Sequence, residues 1–148
     1  MKQTIENNPI LKYNALIESG DIVACKKIQT IYSVLAERVI HGYKEWEYSP
    51  DRARHIIWFF EKYLKHSKGK WGGQLVELEL HQKAKFAAGW GFVDEFGNRQ
   101  FQRVVNIVAK KNGKSFESSG VGLYGLTADG ESGPEIYSVA TKRDQAKI

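Results

Sequence analysis

The residues with the most chemistry in this chain run Asn106-Ile107-Val108-Ala109-Lys110-Lys111-Asn112-Gly113-Lys114-Ser115. An apolar, β-branched run passes into a polar loop that closes on Gly-Lys-Ser, and small and apolar residues follow. A strand, a loop and a helix in that order can present backbone N–H groups to a phosphate. A lysine then meets the β- and γ-phosphates, and a hydroxyl ligands Mg²⁺. Lys114 and Ser115 supply those two groups. The full pattern also asks for a glycine five residues before Gly113, where this chain has Val108. A second reading stands beside the first. Asn-Gly is a strong signal for a two-residue hairpin, so the run from Val104 to Ala109 also fits a strand that turns straight back into another.

The bulk properties narrow the classes. At 148 residues the chain fits one modest domain, or a subdomain with part of a larger one. Its 42% hydrophobic and 26% charged residues are ordinary for a globular protein and exclude disorder. An excess of 22 Lys and Arg over 17 Asp and Glu gives +5, mildly basic and compatible with a polyanionic partner. The single cysteine, Cys25, excludes a disulfide framework, and its neighbours Ala24 and Ile28 predict a buried helical thiol in a reducing compartment. No apolar run approaches the roughly 18 residues that a membrane span needs. The polar N-terminus does not read as a signal peptide, and the expected location is cytoplasmic.

The elements that must position the loop follow in order. Pro9 separates a polar tail from a short helix. Asp21 reads as the N-cap of an amphipathic helix reaching about His41, with Ala24, Cys25, Ile28, Ile31, Tyr32, Leu35 and Val39 on its apolar face and Gly42 at its end. Ser49-Pro50-Asp51 opens another helix, and Ala53, Ile56, Ile57, Phe60 and Leu64 form its face. Trp58, Phe59 and Tyr63 widen that face, which predicts a helix clamped between the previous helix and something else. Lys62, Lys65, Lys68 and Lys70 cluster at its exit, either as a solvated helix end or as a nucleic-acid contact. Leu75 to Leu80 alternates as an extended segment, and His81 to about Trp90 reads as helix. Phe92 to Arg99 is a turn with strand-like flanks. Arg103–Val108 and Pro134–Val139 read as strands. Gly120, Gly122 and Gly125 weaken the intervening helix but permit close helix–sheet approach. This order favours an α/β fold and the phosphate-loop reading.

Several of these stretches resemble the N-terminal part of a tailed-phage terminase large subunit, across roughly residues 10–148. Tyr48-Ser49-Pro50-Asp51-Arg52-Ala53 with Phe59-Phe60-Glu61 resembles its helical region. Leu78-Glu79-Leu80-His81-Gln82 is similar to its adenine-recognition motif, with His81 where that family usually has Trp. Lys110 to Ser115 resembles its phosphate loop (Walker A). Leu123-Tyr124, Asp129-Gly130-Glu131 and Tyr137 to Ala146 resemble the segment beyond. The resemblance implies a helical region over 1–74 and, over 75–148, the start of an incomplete P-loop NTPase (ASCE-type) core, truncated before the Walker B strand.

It further implies ATP and Mg²⁺ as ligands. Lys110, Lys111, Asn112, Gly113, Lys114 and Ser115 would hold the phosphates, with Ser115 on Mg²⁺, and Gln82 would read adenine. Arg143 would be a trans contact to a neighbouring subunit. The implied partners are double-stranded viral DNA, a small terminase subunit, a portal and further copies of the chain, with no membrane. Lys110 stands where the family often has arginine, losing the bidentate fork. The implied acidic strand, coupling motif and nuclease domain are not found between Phe116 and Ile148, so the chain alone is expected not to hydrolyse ATP appreciably. Gly91-Phe92-Val93-Asp94-Glu95 imitates the acidic strand but precedes the loop and reads as a turn. The four histidines show no metal-ligand spacing with Cys25. The alternative is a non-enzymatic basic helical module that binds DNA or a terminase or portal partner.

Overall fold

The computed structural model describes residues 3–67, 69–109 and 112–139. They divide into two compact units, residues 1–104 and 105–148.

The first unit is helical. Helix α1 (Pro9–Glu18) starts where Pro9 stops being a liability, at the first helical position, and the buried Asn8 side chain accepts the N–H groups of Ile10 and Leu11. Helix α2 (Lys26–His41) buries Tyr32, Leu35, Ala36 and Val39 and ends on Gly42 at φ 70°. It begins later than the periodicity predicts. Asp21 does not cap it: the Ser19 hydroxyl donates to Asp21 at 2.7 Å in a turn closing α1, and the Ile22 N–H bonds back to Leu16. Cys25 therefore sits at the N-cap of α2, exposed, rather than as a buried thiol.

Helix α3 (Pro50–Tyr63) has the predicted start, with Ser49 accepting the Arg52 N–H and Asp51 in the first turn. Its buried face packs mainly on α4 (Leu80–Gly91), and α4 in turn packs on α1. The Phe60 and Phe86 rings lie 4.5 Å apart across the α3–α4 seam. The expected clamp around α3 is not present. Phe59 is buried, but Trp58 and Tyr63 are 48% and 56% exposed, because one helix partner covers only one face. Between α3 and α4 the strap 75–79 runs extended. Val76 and Leu78 point inward while Leu75, Glu77 and Glu79 face out, the alternation expected from period-two patterning.

Two short strands close the unit. β1 (Glu47–Tyr48) pairs antiparallel with β2 (Phe92–Val93), and a turn after β2 brings Arg99 opposite Val93. The core gathers Ile10, Leu35, Val39, Ala53, Ala84 and Phe92, among others, from all four helices and β2.

The second unit contains α5 (Lys114–Thr127) between two segments with no regular secondary structure among the described residues. Neither predicted strand, Arg103–Val108 or Pro134–Val139, forms a ladder among the described residues. An extended β-branched run becomes a strand only when another backbone takes its hydrogen bonds, and Val105, Ile107, Tyr137 and Val139 are largely exposed. The helix–sheet approach expected of the α5 glycines has no sheet to meet among the described residues; Gly125 instead faces Ile136, whose side chain a Cβ there would meet at 3.2 Å. The observed class is mixed helix with one small two-stranded sheet, compatible with α/β.

The end of α4 gives a sharp test of this packing. A Cβ on Gly91 would fall 2.5 Å from the Tyr48 ring and 3.3 Å from the Ala53 Cβ. Gly91→Ala gains little helix propensity at a last helical residue, and overpacking costs about 1–3 kcal/mol. The expected result is a net loss of about 1–2 kcal/mol, read as a lower midpoint in urea unfolding with an unchanged slope.

Candidate functional site

The Asn112-Gly113 pair does not make a hairpin. Gly113 adopts φ 70°, ψ 6°, a left-handed conformation that glycine enters without strain, and Lys114 is the first residue of α5. The Glu117 N–H donates to the Gly113 carbonyl at 2.9 Å. The first N–H groups of a helix have no partner within the helix and lie at the positive end of its dipole, and Lys114 and Ser115 are the first two residues of α5. Both side chains are exposed. Loop, left-handed glycine and helix start thus follow the order that an anion-binding turn requires. Lys110, Lys111 and Arg143 lie outside the described residues.

One feature of this unit is not visible in the motif. Glu117 is 4% exposed, and Asn106 Nδ2 donates to its Oε2 at 3.0 Å. The contact joins the segment before the loop to the helix after it. Glu117, Gly120 and Tyr124 form the buried side of α5 at spacings of three and four. That spacing was a signal in the sequence, but a glutamate on the apolar side of a helix is easily passed over as a surface residue.

Gln82 is in the first unit, and its side chain is engaged. Glu79 and Gln82 form a capping box at the start of α4: the Glu79 N–H donates to Gln82 Oε1 at 2.9 Å, and the Glu79 carboxylate accepts from the backbone of Gln82. Glu61 supports the same corner. Its Oε1 accepts the Leu78 N–H at 3.1 Å and the Lys83 ammonium at 2.9 Å. The strap leading to Gln82 is therefore fixed at both of its sides.

The acidic decoy is a turn, as its glycine predicts. Asp94 accepts the N–H groups of Phe96 and Asn98 and the Asn98 side-chain amide, and Gly97 takes φ 83°. The Asn98 amide, helped by the backbone donors, holds the Asp94 carboxyl below its ordinary range. Among the described residues no group of three His, Cys, Asp or Glu is placed to hold a metal ion. No described helix is long and apolar enough to cross a membrane.

The comparisons with known proteins fall on the same part of the chain. Residues 81–148 match the family model for the terminase large subunit, ATPase domain. This stretch is similar to the ATPase domain of terminase large subunits. The match begins beside Gln82 and takes in the whole of Asn106–Ser115, so the terminase resemblance read from the motifs holds where the candidate site lies. Comparisons with curated proteins and with solved structures return no match.

Two measurements check the local assignments. Gln82→Ala removes half of the capping box and is expected to destabilise the chain by about 1 kcal/mol with no nucleotide present, by thermal or urea unfolding. For Asp94, an NMR titration is expected to give a pKa below the ordinary aspartate value, and Asn98→Ala is expected to raise it. Since the folded pKa is the lower one, the turn is fully stabilised above the unfolded value and loosens as pH falls through the folded one.

Proposed function

We propose that this chain is the ATP-binding part of a phage terminase large subunit, the motor that packages viral DNA into proheads. The observation that supports it most is the start of α5 at Lys114 directly after a left-handed Gly113, inside the residues matched by the terminase ATPase family. The Lys114 ammonium would contact the β- and γ-phosphates. The Ser115 hydroxyl would ligand Mg²⁺ on the bound nucleotide, and the backbone of Lys111 to Gly113 would cradle phosphate oxygens with the first N–H groups of α5. The exposed lysine and hydroxyl on orphan helix donors fit such a magnesium triphosphate. When bound, Mg²⁺ supplies positive charge that offsets the phosphate oxygens.

Gln82 would read the adenine edge. Its Oε1 already caps α4, so this role falls to its Nε2 donor or requires the cap to open. Lys110 would brace the γ-phosphate as a point charge, and Arg143 would reach a neighbouring subunit's nucleotide. Double-stranded viral DNA, a small terminase subunit, a portal and further copies of the chain are the partners this reading entails. The residues assigned here bind and position; none is assigned to cleavage.

Calorimetric titration with Mg²⁺ and a non-hydrolysable ATP analogue tests the reading. Saturable binding is expected, weakened at least about tenfold in Lys114→Ala, the scale of one lost charge-assisted contact. Absence of binding at millimolar analogue, or binding indifferent to Lys114→Ala, would overturn it.

A further inference from the structure

The outward side of α3 carries a groove that the nucleotide reading does not use. Arg54, Ile57, Trp58, Glu61 and Lys62 line it, at helical spacings of three and four that place them on one stripe, and it is a shallow depression of about 390 Å³ open to solvent. Trp58 is half exposed yet held in position. The His55 ring stacks beside it with centroids 6.0 Å apart and planes 17° apart, and Tyr63 meets it edge-on at 5.2 Å. An indole fixed in this way offers a surface whose ordering cost is already met by folding.

The charges around the ring are cationic. Lys62 and Lys65 are exposed on and just beyond α3, and neither takes part in an ion pair among the described residues. Arg54 is paired with Asp51 on an open surface, where such a pair is easily exchanged. Glu61, the one carboxylate lining the groove, is offset by Lys83 and the Leu78 N–H. Further along the hairpin after α3, Lys70 lies over the exposed Trp71 ring at 4.8 Å.

We infer that the α3 groove is a base-stacking site for single-stranded nucleic acid, with a base on Trp58 and the flanking phosphates on Lys62, Lys65 and Arg54. Three arguments select this occupant. Rings interleaved with cations suit a polyanion that also offers flat π-faces. A duplex keeps those faces stacked inside and presents only phosphates and base edges. The cores of protein–protein interfaces favour aromatic residues and arginine but are depleted in lysine, the commonest cation here. The inference does not rest on the phosphate loop, since every residue it uses lies in the first unit.

Fluorescence anisotropy with a labelled oligo-thymidine strand tests it, alongside a duplex of the same length and free thymidine monophosphate. The single strand is expected to bind more tightly than either. Trp58→Ala is expected to weaken it about tenfold, the scale of one stacked base, and Trp58→Phe to restore most of the affinity. Lys62→Ala is expected to reduce the slope of log affinity against log salt by about one. Lys114→Ala is expected to change nothing, which separates this site from the nucleotide site. Equal or tighter duplex binding, monophosphate binding as tight as the strand, or affinity unaffected by Trp58→Ala in a chain with unchanged circular dichroism would each overturn the inference. A concentration-dependent dimer abolished by Trp58→Ala, with no strand binding, would also overturn it and assign the groove to a second copy.

Discussion

The Glu61 carboxylate sits where three parts of the helical unit meet. It belongs to α3, receives an N–H from the strap at Leu78, and receives the ammonium of Lys83 from α4. Just beneath it, Phe60 and Phe86 close the seam between the same two helices. The rings supply non-directional burial and the carboxylate supplies direction. Hydrophobic contact alone leaves a packed helix free to slide or turn, whereas an acceptor shared between a backbone donor and a lysine fixes register. The capping box at Glu79 and Gln82, the start of α4 and the family match all lie within a few residues of this point.

The second unit is organised differently. Among its described residues it has one helix, rich in glycine, whose narrow face admits Ile136 closely. The irregular runs on either side keep their β-branched side chains largely in solvent. A sheet is a collective object: each strand's propensity is realised only against neighbours, and a lone extended run satisfies its backbone with water. Exposed apolar, extended backbone of this kind is also what neighbouring chains pair with.

This contrast explains what could be read from the sequence. The starts of α1 and α3 were legible because caps are local: Pro9 and Ser49-Pro50-Asp51 act within one turn. The alternation at 75–79 and the turn at Asp94–Asn98 were legible for the same reason. The start of α2 was not, because apolar spacing continued through Ala24 and Cys25 while the Ser19–Asp21 turn used the side chain expected to cap the helix. The strands at 103–108 and 134–139 were misjudged because strand formation depends on partners that no local pattern reveals. At the site, the motif located Gly113, Lys114 and Ser115 on a helix start. It could not show that Gln82 was already engaged in a cap, or that Glu117 was buried against Asn106, since both facts concern side-chain partners.

The Asn106–Glu117 contact bears on how a ligand would be received. It joins two points eleven residues apart, one on each side of the proposed phosphate loop. A chain segment with tethered ends has lost part of its conformational freedom before any ligand arrives, and the loss grows with the logarithm of its length. Whatever ordering a bound anion then demands of the intervening residues starts from a smaller ensemble. A single side-chain hydrogen bond that uses none of the loop's own lysines would in this way set the entropy of capture, leaving the charges to set its enthalpy.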